Sequence, residues 1–184
     1  MVSNFHSSAC TCCVSIQSSR FDRRHFLRLS GGAGLIAIYP GLALGAAGKY
    51  QAMLLSCIDP RFPEPTIRYM EARHLKGQYS QFTVAGAAVG VVAPAFKDWA
   101  KTFWDNLAAS IELHNIHKVI AIDHRDCSAA KIAYGPEKVA NARIEIETHR
   151  AALMEFRKEV GERHPKLAVE IGLMALNGKT EMFS

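Results

Sequence analysis

The chain has 184 residues, 49% of them hydrophobic and 21% charged, which gives room for one ordinary domain and excludes a disordered polyelectrolyte. Its net charge of +5 is unevenly placed: residues 1–47 carry Arg20, Arg23, Arg24 and Arg28 against Asp22 alone, a balance of +3, and the rest of the chain has 18 basic and 16 acidic side chains. With no Lys/Arg run interleaved with aromatics beyond residue 48, nucleic acid is not an expected partner.

The first element is a targeting segment. Asp22-Arg23-Arg24-His25-Phe26-Leu27-Arg28 resembles a twin-arginine export signal, whose usual form is Ser/Thr-Arg-Arg-x-Phe-Leu-Lys. The apolar run over 29–44 is interrupted by glycines and is short for a membrane span, which needs about 20 apolar residues. Small residues at 43–47 offer a cleavage point after Gly45 or Ala47. Residues 1–47 are therefore expected to be a twin-arginine signal. That implies contact with the twin-arginine export machinery and a periplasmic or otherwise exported location; an uncleaved anchor is the alternative. Cys10, Cys12 and Cys13 lie in the segment to be removed, which leaves Cys57 and Cys127. In an oxidising compartment two cysteines ordinarily point to a disulfide. Export of an already folded protein would instead let a metal occupy them beforehand.

Beyond residue 48 the pattern is strand, helix, strand, helix, expected for an α/β domain with a mostly parallel sheet flanked by helices. The apolar run 51–56 reads as a strand buried on both faces. It ends at Asp59-Pro60-Arg61-Phe62-Pro63, where two prolines forbid a continuing ladder. A helix is expected over 65–75, with Pro65 in its first turn. A second strand over 81–84 runs into the small-residue loop 85–88. Trp99, Phe103, Leu107 and Ile111 recur every four residues and predict an amphipathic helix over 97–115. Residues 118–123 read as a buried central strand. Ala142, Ile146, His149, Leu153, Phe156 and Val160 step by three and four, predicting one long helix over 137–164 that Pro165 closes. The tail reads as a strand over 167–175, a turn at Asn177-Gly178 and a return over 180–183. Met53, Met70 and Met174 are expected in the core.

Two motifs follow predicted strands directly: Cys57-Ile58-Asp59-Pro60-Arg61 and His124-Arg125-Asp126-Cys127. Ligand sites in open α/β sheets collect beyond the carboxyl ends of strands. If the two strands are neighbours, Cys57, His124 and Cys127 meet in one crevice. Two thiolates and an imidazole suit zinc, and three protein ligands leave a fourth position for water. The alternatives are a reduced core Cys57 with an unrelated loop Cys127, or a thiol redox pair without metal.

The order Cys-x-Asp-x-Arg, then a helix and a strand, then His-x-x-Cys resembles the β-class carbonic anhydrases, and the likeness covers roughly 50–183. The resemblance implies their fold, one Zn2+ per chain held by Cys57, His124 and Cys127, and an Asp59–Arg61 dyad beside it. It implies reversible hydration of carbon dioxide to bicarbonate by a zinc-bound hydroxide. It also implies a homodimer, although cleavage near Ala47 would leave no helical arm to wrap a partner subunit. The chain departs from the family pattern in two further places: Thr83-Val84-Ala85-Gly86-Ala87 lacks the usual polar side chains, and Ser128 stands where glycine is usual. The less polar loop keeps hydrolysis of carbonyl sulfide or carbon disulfide open on the same site, and a non-catalytic zinc-binding relative is the alternative outside enzymes. Asp123 is expected to brace the metal-binding loop, Asp126 to be a solvated or hydrogen-bonding loop residue, and His149 to pack at a helix face. His74, His114 and His117 carry no pattern that assigns a role.

Overall fold

The computed structural model describes residues 49–184, so the expectations for the 1–47 segment lie outside the described residues. Five strands form one sheet: β1 (Ala52–Ser56), β2 (Tyr79–Thr83), β3 (Lys118–His124), β4 (Ala168–Met174) and β5 (Thr180–Phe183). Their spatial order is β2-β1-β3-β4-β5. The first four run parallel and only the β4–β5 hairpin is antiparallel. The α/β expectation holds for a physical reason: β1 is buried throughout and β3 is buried at all but its first residue, as strands covered by helices on both faces must be. Among the described residues no helix is long and apolar enough to cross a membrane.

The helices are α1 (Pro63–Ala72), α2 (Ala88–Val92), α3 (Lys97–His114), α4 (Ser128–Tyr134) and α5 (Ala142–Arg163), with 3-10 turns at Pro94–Phe96 and Pro136–Val139. Helix α1 starts earlier than the sequence pattern predicts, because Pro63 and Pro65 both fit its first turn, where no N–H is needed. The loop expected over 85–88 feeds at once into α2, which was not expected from so short a segment. The single helix expected over 137–164 is shorter: α4 and a 3-10 turn precede it, and Asn141 starts α5 by accepting hydrogen bonds from the N–H groups of Arg143 and Ile144, both at 3.1 Å. A side-chain cap of this kind fixes the helix start more firmly than apolar spacing does.

The core lies between the sheet and α3 and α5. Phe103, Leu107, Leu153, Phe156 and Val160 are fully buried, as the helical spacing predicts, and so are Met53, Met70 and Met174. Trp99 departs from the expected apolar face: it is 40% exposed and stacks on Phe96, with ring centroids 4.3 Å apart. Helix α2 touches α3 and α5 as well, and Gly90 within it lies so close to Val84 and the Ala85 carbonyl that a side chain there would collide with backbone.

One charge cluster ties the outer sheet together. Glu170 on β4 meets Arg73 at 2.5 Å and Lys118 on β3 at 3.1 Å. Burial pushes the Glu170 carboxyl up, but the hydrogen bonds and charges of Arg73 and Lys118 outweigh it and hold the group below its ordinary value of 4.5. A depressed carboxylate stabilises the fold above its unfolded-state pKa and loses that contribution as pH falls through the folded value. Glu170→Gln is therefore expected to cost about 1 kcal/mol at pH 7. The difference from the parent should close below pH 4.5 in urea titrations run across pH; a constant difference down to acid pH would contradict this.

Candidate metal centre

Strand register builds the site. Leu55 on β1 pairs with Ala121 on β3, so Cys57 leaves the sheet at the level of Asp123 and His124. The chain then turns at Asp59–Phe62, closed by the Phe62 N–H on the Asp59 carbonyl at 2.9 Å. On the β3 side only Arg125 and Asp126 separate the two candidate ligands. Asp126 takes a left-handed backbone (φ 57°), which brings Cys127 back to head α4. The ligand atoms of Cys57, His124 and Cys127 all lie within 4.8 Å of one another, and all three residues are buried. Both sulfurs are free thiols.

The imidazole is oriented for coordination. His124 Nδ1–H donates to the Arg125 carbonyl at 2.8 Å, which fixes the tautomer and leaves Nε2 as the lone-pair nitrogen. That Nε2 is buried and has no hydrogen-bond partner, an arrangement that costs free energy unless something fills it. The Phe62 ring, itself fully buried, packs against His124 with centroids 4.8 Å apart.

The two sulfurs perturb each other in opposite directions. A hydrogen bond from the Cys127 thiol lowers the Cys57 thiol to about 4 against the opposing effect of burial, helped by His124 and by the Gly86 N–H, which lies 3.2 Å from Sγ. Cys127 is pushed up by its hydrogen bond to Cys57 and by burial. Burial opposes a charge on His124, but the Cys57 thiolate and the Arg125 carbonyl outweigh it and raise the imidazole. Two sulfurs, one of them with a lowered pKa, beside a buried imidazole nitrogen that has no hydrogen-bond partner are a donor set a divalent soft-to-borderline cation fits. Binding would displace the remaining protons.

Asp59 and Arg61 adopt the paired geometry expected of them. Arg61 Nε and Nη2 donate to the two Asp59 oxygens at 2.9 and 2.7 Å, and the Arg61 backbone N–H adds a third bond at 2.9 Å. The hydrogen bonds from Arg61 hold the Asp59 carboxyl near 2. Asp59 Oδ2 lies 3.9 Å from His124 Nε2, beside the converging donors. Asp126 is a hydrogen-bonding loop residue, one of the two roles expected of it. Its carboxylate accepts from Arg61 Nη1 at 2.8 Å and its carbonyl from Nη2 at 3.2 Å, so the guanidinium bridges two acids.

The departures at 83–87 have a structural counterpart. Thr83 ends β2, within 3.4 Å of the hydroxyl of Ser56 and of the Gln81 amide. The loop contributes through its backbone instead, the Gly86 N–H reaching the Cys57 sulfur. Gly86 takes φ 82° freely, but buried Ala87 has φ 50°, strain of the kind found where a loop is held for function. Asp123, expected to brace the metal-binding loop, also braces this one, accepting the Ala88 N–H at 3.0 Å. His149 goes beyond packing at a helix face: it is fully buried and its Nδ1 lies 2.7 Å from Asp123 Oδ2. Glu145, to which the sequence pattern assigned nothing, accepts the Asp126 N–H at 2.6 Å. Its only sequence signal is its place one turn before His149.

Known proteins share both sequence and fold with this chain. The family model described as "Putative carbonic anhydrase" matches residues 47–161. An uncharacterized protein of Rickettsia conorii is 33% identical over 138 residues, 75% of this chain and 74% of that protein. Another from Rickettsia bellii is 33% identical over 138 residues, 75% of this chain and 84% of its own length. Among solved structures, the Coccomyxa β-carbonic anhydrase in complex with acetazolamide superposes with a TM-score of 0.52 at 13% identity, covering 74% of this chain and 72% of that one. The tetrameric β-carbonic anhydrases of Sordaria macrospora give 0.50 at 13% identity over 88% and 87%. At such identities the solved structures speak for the fold, and the family match speaks for descent. The chain belongs to the carbonic anhydrase family, as a divergent member with the β-class fold.

Proposed function

We propose that the protein is a zinc-dependent carbonic anhydrase that converts carbon dioxide and water reversibly to bicarbonate and a proton. The observation that carries this reading is the buried, partnerless Nε2 of His124 beside two sulfurs, with an ionised carboxylate 3.9 Å away. Cys57, His124 and Cys127 would hold one Zn2+, which when bound supplies Lewis acidity enough to bring the pKa of a water ligand toward about 7.

The chain's own residues do the rest. Asp59, kept ionised by Arg61, presents Oδ2 as a hydrogen-bond acceptor that orients water and receives no proton at neutral pH. Arg61 and Asp126 fix that carboxylate in place. Phe62 closes one side of the imidazole to solvent.

Metal analysis and stopped-flow assays on the purified protein test the reading together. One equivalent of zinc and proton release on mixing with carbon dioxide are expected. Asp59→Asn should keep the zinc and lose about 10- to 100-fold in rate. Zinc-loaded protein that is inert to carbon dioxide but consumes carbonyl sulfide would move the assignment to the hydrolase alternative. Bound zinc without turnover of either would leave a zinc-binding relative.

We further propose that residues 1–47 are a twin-arginine signal delivering a domain beginning near residue 48 to an exported compartment, on the strength of Arg23-Arg24 and the apolar run that follows. Replacing both arginines with lysine should retain the protein in the cytoplasm in cell fractionation. Unchanged export would refute the assignment.

A further inference from the structure

We propose that Glu145 and His149, one turn apart on α5, are positioning residues that fix the segment carrying two of the candidate metal ligands and, through it, the third. Residues at i and i+4 share a helix face, and both of these face the segment 123–127. Glu145 grips its middle: Oε1 accepts the Asp126 N–H at 2.6 Å and Oε2 accepts from Arg125 Nη1 at 3.1 Å. The Arg125 guanidinium reaches back to the Ala142 carbonyl at 3.2 Å, so the first turn of α5 is stitched to the turn between His124 and Cys127.

His149 grips the start of the segment. Its Nδ1–H donates to Asp123 Oδ2 at 2.7 Å, and both side chains are wholly buried. The other Asp123 oxygen accepts the Ala88 N–H at 3.0 Å. Ala88 ends the strained loop whose Gly86 N–H meets Cys57 Sγ at 3.2 Å. One helix face is thus connected by hydrogen bonds to the residues flanking His124 and Cys127 and, through the 86–88 backbone, to the N–H that meets Cys57. A core that needed only filling would use apolar side chains at positions 123 and 149, since a buried acid and imidazole are costly unless satisfied.

The inference rests on the zinc reading above, and the test separates the two. The full chain and its variants Glu145→Ala, Glu145→Gln, His149→Ala and His149→Asn are compared at a temperature where circular dichroism shows each to be folded. Two quantities are read: Zn2+ affinity by competition with a chromophoric chelator, and the ligand-field and thiolate charge-transfer spectrum of the Co2+-loaded protein. The alanine variants are expected to lose about 10- to 100-fold in affinity and to change the Co2+ spectrum. Glu145→Gln keeps an acceptor for the Asp126 N–H, and His149→Asn places an amide N–H where Nδ1–H stood. Both should recover most of the loss.

A purely structural role would lower the melting temperature and leave the affinity and spectrum of the folded protein unchanged. Glu145 sits at the rim with its side chain 12% exposed, so its variants serve even if His149→Ala does not fold. Glu145→Ala binding Zn2+ within twofold of the parent, with an unaltered Co2+ spectrum, would overturn the proposal. A parent chain that binds neither Zn2+ nor Co2+ would overturn the zinc reading and this proposal with it.

Discussion

Cys127→Ser is expected to abolish stoichiometric zinc and, with it, carbon dioxide hydration. Zinc held by a protein donor set is worth on the order of 12 kcal/mol at neutral pH, so one donor among three accounts for roughly 4 kcal/mol, close to a thousandfold in affinity. The loss at position 127 has a second part. The Cys57 thiol is lowered chiefly by its hydrogen bond from Cys127, so removing that sulfur also weakens the thiolate left behind. Serine can still donate to Cys57, which makes Cys127→Ala the harsher change. Inductively coupled plasma analysis after dialysis against a weak chelator reads the outcome; a serine variant that keeps a full equivalent of zinc would remove Cys127 from the ligand set.

The largest expected effect on stability lies away from the site. Phe156 on α5 is fully buried against Phe103 and Trp104, with ring centroids at 5.4 and 6.3 Å. Phe156→Ala deletes a ring from a close-packed interior and leaves a cavity, at a cost of about 3–5 kcal/mol. For a domain of this size that is a large part of a total near 5–15 kcal/mol, and it should lower the melting temperature by about 10 °C. A scanning calorimetry shift under about 2 °C would show that the surrounding helices collapse to fill the space.

Much of both fold and site was legible because it rests on local rules. Unbroken apolar runs of four residues, 52–55 and 119–122, pointed to β1 and β3, and the prolines after Cys57 marked the end of the first strand. The candidate ligands were legible because metal chemistry demands particular atoms just beyond strand ends. What stayed hidden depends on partners distant in sequence. His149 occupies a place in the apolar stripe of α5, and spacing alone could not say that Asp123, 26 residues earlier, awaits it. Two polar groups at apolar positions were the available clue, because buried polar groups must find each other. Helices α2 and α4 escaped because runs of five and seven residues are too short to show a 3.6 period. The boundary of α5 was set by Asn141, whose cap a search for apolar repeats does not register.

The backbone at Asp126 does two jobs at once. Its left-handed conformation lets the chain double back within two residues, an arrangement glycine would adopt without strain. Its carboxylate meanwhile anchors the guanidinium that holds Asp59. Glycine there would relax the turn and release the arginine; a larger acid would keep a negative charge and strain the turn. The position is therefore a compromise between conformational ease and electrostatic grip, and drift at this one residue would be felt first in how firmly the Asp59 carboxylate is aimed.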